Sequence, residues 1–507
     1  TALSLPDGSA RTPICFPSCS ESMTLKISVA QLNFVVGDMA GNARRIAQAA
    51  REAQARGLAP AVMTFEPHPL RLLQQHSQPV LTAQETLSAS ELRSRVMELT
   101  QWLQRTGITC VASRLDNGSD WVVLDLALRV AEMVHVPLPT FFSDDQVQHA
   151  LQTSGAQLLV LAEGTPPCGI TDATMALPAL SAHGLGLDAP AGSTLPLGTA
   201  CVTYTSGSTG RPRGVCLSAG TLMATAASLA DAAGDIAPRR HLCLMPLSTL
   251  LENVAGLYAA LLSGAEIALP SLQEIGYTGA AGLDMPVLLS CLNRHRPESI
   301  ILVPQLLLAL VMAAEQGAEL PVSLRYLAVG GGRVSPGLLA RARRLGLPVF
   351  EGYGLTECGS VVCLNRPGAQ RDGTVGQPLP HVRVQIVDGE IVVSGAHPLG
   401  YLGDESLPEG PIHTGDLGHI DADGFVHVTG RRKNVFITAF GRNVSPEWVE
   451  SELLSHPAIA QALVWGEGQA DNVALLVPRF VQQGSGVLDA ALSTINAGLP
   501  DYARIAR

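Results

Sequence analysis

The chain has 507 residues, of which 47% are hydrophobic and 15% are charged. This length predicts two to four domains with a large buried core, and a net charge of -11 argues against a nucleic-acid partner or an anionic membrane surface. Apolar runs are too short for a membrane span. The ten cysteines form neither a CxxC pair nor a Cys/His cluster at ligand spacing, which predicts reduced thiols in a cytoplasmic protein.

The first 87 residues form a separate part of the prediction. Thr1–Ser22 are expected to be leader or cloning sequence, because Met23 would be a natural start. Residues 24–36 predict a buried strand, Gly41–Arg56 an Ala-rich helix, and residues 61–65 a second strand. Together, residues 23–87 are predicted to be a βα appendage.

Two fragments of this appendage resemble other families. Residues 27–46 (ISVAQLNFVVGDMAGNARRI) are similar to the start of the amidase domain of glutamine-dependent NAD synthetases. Residues 65–69 (FEPHP) resemble a stretch of flavin-forming nucleotidyltransferases. An amidase needs a Glu, Lys and Cys set spread over a few hundred residues, and nothing after Pro69 continues that pattern. The appendage interpretation is therefore favoured over amidase activity.

From about Ser88, helical and strand patterns alternate, which predicts α/β layers with mostly parallel strands. The predicted helices are Glu91–Gln104 and Leu124–Met133, and the predicted strands are Thr109–Ser113, Leu158–Leu161, Ile300–Val303 and Tyr326–Val329. Short strands separated by turns predict a small β subdomain at residues 375–430. A basic segment and the predicted helix Pro446–Leu454 follow. The expected domains are a large one at 88–432 and a small, mobile α+β one at 433–507.

A glycine- and hydroxyl-rich stretch, Tyr204–Gly214, follows the predicted strand Ala200–Thr203. Its glycines allow close approach of an anion, its hydroxyls donate to phosphate oxygens, and its arginines add positive charge. It lacks the Gly-Lys-Ser/Thr ending of a Walker loop. A flexible linker is the alternative, but a linker would not directly follow a buried strand. The predicted phosphate-binding residues are Thr205, Ser206, Gly207, Ser208, Thr209, Gly210 and Arg213.

This stretch is similar to the phosphate loop of AMP-forming acyl and aryl ligases, the adenylating superfamily that includes luciferases and peptide-synthetase adenylation domains. The family usually has Lys where this chain has Arg213, which keeps the positive charge. The resemblance covers about Ser88–Arg507. It implies ATP, Mg²⁺ and CoA as cofactors and cosubstrates, with a carboxylic acid as substrate.

A second match is the turn Glu351–Glu357, which follows the predicted strand Val349–Phe350. The resemblance implies that Tyr353 stacks on adenine, Thr356 contacts phosphate and Glu357 holds Mg²⁺. An aromatic face suits a base and a hard carboxylate suits Mg²⁺. An ordinary Gly-rich turn would be the default interpretation of this turn alone. The nucleotide-binding residues implied here and at the family's adenine-side glycine turn are Gly331, Gly332, Glu351, Gly352, Tyr353, Gly354 and Thr356.

A third match comprises Thr414–Asp416 and Gly430–Lys433. A carboxylate can accept both ribose hydroxyls, which is the role that the resemblance implies for Asp416. It also implies that Arg431 reaches ribose and phosphate and that Lys433 is the hinge of the small domain. A solvated basic patch is the alternative. Further along, Gly441 and Arg442 resemble the loop that lines the family's pantetheine tunnel.

A weaker match, Met245–Glu252, points to the acid site. Acyl ligases often have His where this chain has Thr249, and the apolar stretch Val254–Leu262 suits either a hydrocarbon pocket or an ordinary core helix. Amino-acid-activating relatives place an Asp near residues 250–251, and none is present here, which disfavours an amino-acid substrate. The predicted acid-binding residues are Leu251, Glu252, Asn253, Gly256 and Gly330.

The C-terminal match, Leu499–Tyr502, precedes a catalytic lysine in the family, and this sequence stops at Arg507 without it. We expect either a truncated small domain or weak formation of acyl-AMP. The predicted activity is ATP-dependent activation of a medium or long fatty acid and its transfer to CoA, with Thr205, Glu357 and Arg431 as catalytic residues. Transfer to a carrier-protein pantetheine, and nucleotide binding without full turnover, remain the alternatives.

Overall fold

The computed structural model describes residues 73, 80–165, 174–188, 195–205, 212–279, 282–403, 410–479 and 485–506. The predicted strands at 24–36 and 61–65 and the helix at 41–56 lie outside these ranges. So do the two N-terminal resemblances. These predictions stay untested by the fold.

Two large sheets, in which the central strands run parallel, form most of the described chain. The nine-stranded sheet has the order Gln377–Pro378, Cys363–Leu364, Val349–Tyr353, Tyr326–Val329, Ser299–Leu302, Arg240–Leu242, Glu266–Ala268, Leu81–Thr82 and Thr86–Leu87. The eight-stranded sheet has the order Gly400–Tyr401, Arg213–Ser218, Thr199–Thr205, Val134–Pro137, Cys110–Arg114, Leu158–Leu161, His183–Gly186 and Thr174–Ala176.

Apolar strands with helices on their faces explain this architecture. Every residue of Leu158–Leu161 and of Ser299–Leu302 is buried, as expected for parallel strands covered on both faces. The α-helices are Ala89–Thr106, Ser119–Val130, Asp144–Ser154, Ala219–Ala232, Ala259–Ser263, Leu272–Ile275, Met285–His295, Pro304–Glu315, Pro336–Arg344, Pro446–Leu454 and Ser485–Gly498. A π-helical segment, Glu252–Tyr258, leads into the helix that begins at Ala259. The predicted α/β class is confirmed.

The observed ends of two helices differ from the predicted ends. The first described helix begins at Ala89 rather than Glu91, because Ser88 forms a capping box with Glu91. It ends at Thr106, and its C-cap, Gly107, adopts the left-handed conformation. The predicted helix Leu124–Met133 instead spans Ser119–Val130, since periodicity alone does not mark where a helix starts.

The predicted β subdomain is a four-stranded antiparallel sheet. Its strands, in sheet order, are Arg383–Val387, Glu390–Ser394, Ile412–Ile420 and Val426–Arg431. Three two-stranded sheets pair Tyr277–Thr278 with Gly282–Leu283, Phe436–Ile437 with Asn443–Val444, and Ile459–Trp465 with Val473–Pro478. Short 3₁₀ turns lie at Gly234–Ile236, Thr356–Cys358 and Asp501–Ala503.

The C-terminal part has its own apolar core, which includes Phe436, Val449 and Leu453. The helix Pro446–Leu454 has the predicted bounds. The boundary predicted at Lys433 stays a prediction. Within the described ranges, no helix combines the length and the apolar character needed to cross a bilayer.

Candidate nucleotide- and acid-binding site

A cavity of about 670 Å³ lies at the carboxyl ends of the parallel strands. Val134–Pro137 of one sheet and Tyr326–Val329 of the other both end at this cavity, the usual position for a ligand site in an open α/β fold. None of the described residues that line it carries a formal charge. Predicted site residues on its wall are Thr205, Leu251, Gly330, Gly331, Gly352, Tyr353, Gly354 and Thr356.

Three predicted nucleotide-binding residues, distant in the chain, meet beside this cavity. The Tyr353 hydroxyl donates to Asp416 Oδ2 at 2.7 Å, and Arg431 Nε lies 3.2 Å from Asp416 Oδ1. Asp416 and Arg431 are directly paired on neighbouring strands of the four-stranded sheet. Burial raises the pKa of Asp416, although Tyr353 and Arg431 act in the opposite direction. The arrangement joins an aromatic ring, a carboxylate and a guanidinium in one hydrogen-bonded set.

The turn that carries Tyr353 is closely packed against the segment that follows it. A Cβ atom at Gly354 would lie 1.7 Å from the Ser360 carbonyl oxygen, so only glycine fits this position. Glu351 is buried within the turn, and burial raises its pKa to about 7. Its carbonyl oxygen accepts from the Asn365 backbone N–H at 2.9 Å. Glu351 does not line the cavity, although the sequence assigned it to nucleotide binding.

Glu357, the predicted metal ligand, is half-buried and forms a contact at the rim of the site. The Tyr401 hydroxyl donates to Glu357 Oε1 at 3.1 Å, and the Arg213 guanidinium lies 4.1 Å from the centre of the Tyr401 ring. A guanidinium over an aromatic face is a cation–π contact. Two predicted residues, Arg213 and Glu357, are therefore linked through Tyr401, which sequence reasoning missed.

The predicted phosphate loop is described only at its ends. Thr205 ends the strand Thr199–Thr205 and lines the cavity. Arg213 begins the antiparallel return strand and is paired with Thr205. Five predicted phosphate-binding residues lie outside the described residues: Ser206, Gly207, Ser208, Thr209 and Gly210.

The acid-binding predictions divide into two groups. Leu251 and Gly330 line the cavity, whereas Glu252, Asn253 and Gly256 do not. The reason is the π-helical segment, which turns these three residues into the core. Sequence matching alone could not show this rotation.

Glu252 belongs to a buried polar group behind the cavity. Glu252 Oε1 lies 3.1 Å from His241 Nε2, and Oε2 accepts from the Met245 backbone N–H at 2.9 Å. Cys243 brings its sulfur within 4.8 Å of the same atoms, and burial raises its pKa well above the usual range. These hydrogen bonds between described residues give the pair of His241 and Glu252 a structural role behind the cavity.

The remaining predictions fall on exposed turns. Lys433 is exposed next to the turn that closes after Arg431, and Gly441 and Arg442 occupy an exposed hairpin. Gly332 is exposed beyond the glycine turn. None of these four residues lines the cavity in the described structure.

Several cavity residues were not predicted from the sequence. Pro139, Phe141, Phe142 and Gln146 line part of the cavity wall. They follow the strand Val134–Pro137, so the rule that ligands bind at the carboxyl ends of parallel strands could have identified them.

Comparison with known proteins gives a consistent result. The family described as AMP-binding enzyme matches residues 71–402. The long-chain-fatty-acid–CoA ligase FadD15 of Mycobacterium bovis is 28% identical over 438 residues, which is 70% of this chain and 71% of that protein. The feruloyl-CoA synthase of an Amycolatopsis species is 30% identical over 433 residues, or 77% of this chain and 84% of that protein.

Among solved structures, the o-succinylbenzoate CoA synthetase of Bacillus subtilis in complex with its acyl-adenylate intermediate superposes with a TM-score of 0.69. It is 25% identical, and the match covers 87% of this chain and 93% of that one. The same synthetase is also known in complex with ATP and a magnesium ion.

Proposed function

Because the chain belongs to the AMP-binding enzyme family, we propose that it activates a carboxylic acid with ATP and transfers the acyl group to CoA. The observation that carries this proposal is the hydrogen-bonded set of Tyr353, Asp416 and Arg431 at the rim of the cavity. An aromatic face for a base, an acceptor for ribose hydroxyls and a cation for phosphate are the groups that an adenylate needs.

The proposed reaction has two steps. First, a carboxylate oxygen attacks the α-phosphorus of ATP, and the bond to the leaving pyrophosphate breaks. Second, a thiolate attacks the acyl carbon, and AMP leaves with the attacking oxygen. We propose that Thr205 and Thr356, both on the cavity wall, donate hydrogen bonds to phosphate oxygens and that Arg431 offsets the charge that develops there.

The residues present also suit a magnesium ion. Glu357, which follows the cavity-lining residue Thr356 in the chain, offers a carboxylate, and hard oxygen donors are what Mg²⁺ prefers. Bound with ATP, the ion would offset phosphate charge during the transfer. The Tyr401 hydroxyl orients the Glu357 carboxylate through one of its oxygens.

We propose that the acid is a fatty acid. The acid side of the cavity is lined by apolar or small residues such as Leu229, Ala255 and Ile301. The absence of charged residues from the described cavity wall disfavours an amino acid or an acid with a second carboxylate, since a buried charge needs a partner. The relatives are named as CoA ligases or synthetases for long-chain fatty, feruloyl and o-succinylbenzoyl groups. Similarity alone therefore does not choose among these acids, and the proposal rests on the cavity wall.

The thiol acceptor is proposed to be CoA, with a carrier-protein pantetheine as the alternative. We further propose that the small domain turns about Lys433. This rotation would bring Gly441 and Arg442 to the tunnel through which the pantetheine thiol of CoA reaches the acyl group. The exposed position of these residues is compatible with such a movement. A cytoplasmic location is part of the same proposal.

Acid-dependent exchange of labelled pyrophosphate into ATP tests the first step. We expect exchange with straight-chain fatty acids and little or none with amino acids. If nucleotide binds but no acid in a broad panel supports exchange, the proposed acid activation is wrong. Replacing CoA by a pantetheinylated carrier protein in the second step then separates the two acceptors.

A further inference from the structure

A second, smaller cavity of about 40 Å³ adjoins the acid side of the main cavity. The two cavities share four lining residues, Leu229, Ala255, Ile301 and Tyr326, which we call the ring. Beyond the ring, the inner cavity is lined mostly by small residues, among them Ala230, Gly256 and Ala259. A narrow apolar extension of this kind suits the end of a hydrocarbon chain rather than an aromatic ring.

The inner cavity follows the face of the nine-stranded sheet. His241, Ser299 and Tyr326 form one row across three parallel strands, and this row bounds the inner cavity. Gly330, at the nucleotide side of the main cavity, lies four residues after Tyr326. At about 3.3 Å per residue this is roughly 13 Å. An extended alkyl chain with bonds of about 1.5 Å covers that span in about ten bonds.

Packing holds the ring in place. Tyr326 stacks on Phe350 with ring centres 5.0 Å apart. On the other side, a Cβ atom at Gly256 would lie 2.1 Å from Glu252 Oε1, so the π-helical segment that carries Ala255 fits closely against the buried His–Glu pair. The width of the ring is therefore set by the core and not by mobile side chains.

Three polar side chains that line the inner cavity, those of His241, Ser263 and Ser299, are hydrogen-bonded within the protein. His241 Nδ1 lies 3.0 Å from the Ser299 hydroxyl, and His241 Nε2 contacts Glu252. The remaining lining is largely Ala, Gly, Leu, Ile and Pro. Among the described residues that line it, the inner cavity offers mostly apolar contacts to a chain end and no Lys or Arg for a second carboxylate.

Resting on the proposed function, we propose that the inner cavity binds the distal end of a straight acyl chain of about ten to twelve carbons. In this arrangement the carboxylate lies near Gly330, the chain passes the ring, and the last few carbons fill the inner cavity. Ala255 at the ring and Ala230 beyond it determine the chain length that is accepted. Short and compact aryl acids would leave the inner cavity unfilled.

Ala230→Leu tests this proposal, because Ala230 lines only the inner cavity. The matched control is Ala227→Leu, the same change on the same helix at a residue that lines neither cavity. The probes are hexanoyl- and dodecanoyl-sulfamoyl adenosine, which are stable analogues of acyl adenylates. Their dissociation constants are measured by calorimetry, so the readout does not depend on turnover.

We expect the unsubstituted chain to bind the dodecanoyl analogue at least about tenfold more tightly than the hexanoyl analogue, because more apolar surface is buried. Ala230→Leu should weaken dodecanoyl binding about tenfold and leave hexanoyl binding within about twofold. Ala227→Leu should match the unsubstituted chain. Ala255→Leu, which narrows the ring shared by both cavities, should weaken dodecanoyl binding more than hexanoyl binding and serves if Ala230→Leu folds poorly.

Two other outcomes overturn the proposal and differ in meaning. If the hexanoyl analogue binds but the dodecanoyl analogue binds no better, or if Ala230→Leu behaves like its control, only the chain-length inference is wrong. If neither analogue binds, the proposed function fails and the inference fails with it.

Discussion

Gly256→Ala should destabilise the protein although it adds only one methyl group. The added Cβ would lie 2.1 Å from Glu252 Oε1 and 2.8 Å from His241 Nε2. Both atoms belong to the buried pair that also holds the Met245 backbone N–H. Neither side chain is the free end of an exposed chain, so the methyl group can be accommodated only by breaking the pair or shifting the π-helical segment.

The magnitude follows from three contributions. Overpacking a closed core costs about 1–3 kcal/mol, and leaving a buried polar group unsatisfied costs about 1–3 kcal/mol more. Replacing glycine by alanine within a helical segment returns about 0.5–1 kcal/mol. We therefore expect the free energy of unfolding to fall by about 3 kcal/mol.

Urea unfolding followed by far-UV circular dichroism measures this change, as a lower midpoint at an unchanged slope. Gly486→Ala is the matched control, because its Cβ meets no atom within 4 Å and Gly486 lies in the helix Ser485–Gly498. The control should be neutral or slightly stabilising. If Gly256→Ala unfolds at the same urea concentration as the control, the close packing deduced for the His–Glu pair is wrong.

Further predictions concern the nucleotide set and two buried groups. Asp416→Asn should lower kcat/KM for ATP in pyrophosphate exchange by about 10–100-fold, and Tyr353→Phe, which loses one hydrogen bond and keeps the ring, by about 3–10-fold; equal effects would contradict the separate roles. Glu351 has a pKa raised to about 7 by burial, so the folded state holds a proton that the unfolded state releases between about pH 5 and 7, and stability falls as pH rises through this window. In urea titrations between pH 5 and 8, the free energy of unfolding of Glu351→Gln should therefore rise by up to about 3 kcal/mol relative to that of the unsubstituted chain. A difference between the two free energies that does not change with pH would refute this. Tyr258→Phe removes the donor to Asp125 Oδ2 at 2.5 Å and should cost about 1–3 kcal/mol of unfolding free energy, which an unchanged midpoint would disprove.

Much of the fold was predictable because burial and periodicity are local in the sequence. The strands Leu158–Leu161 and Tyr326–Val329 and the helix Pro446–Leu454 have the predicted bounds. The expected adenylating fold and the expected class of AMP-forming acid–thiol ligase are confirmed by the family match and the solved relatives. The resemblance of residues 27–46 lies outside both the family match and the described residues.

The candidate site was predictable where a motif fixes the backbone. Tyr353 and Asp416, which two separate motifs assigned to the nucleotide, lie 63 residues apart in the chain and share a hydrogen bond, whereas their roles toward a nucleotide stay predictions. Glu252 and Asn253 were assigned to the acid site, but both are buried in a π-helical segment and line neither cavity, and no sequence pattern marks such a segment. Phe141 and Phe142 reach the cavity from the other large sheet, because tertiary packing brings the two strand ends together.

Oxygen transfer tests the central claim most directly. The chain is given ATP, CoA and a medium-chain fatty acid labelled with ¹⁸O in both carboxylate oxygens, and the products are analysed by mass spectrometry. Attack of the carboxylate on the α-phosphorus predicts that one labelled oxygen appears in AMP and none in pyrophosphate. Label in inorganic phosphate, with ADP as the nucleotide product, would contradict the proposed chemistry.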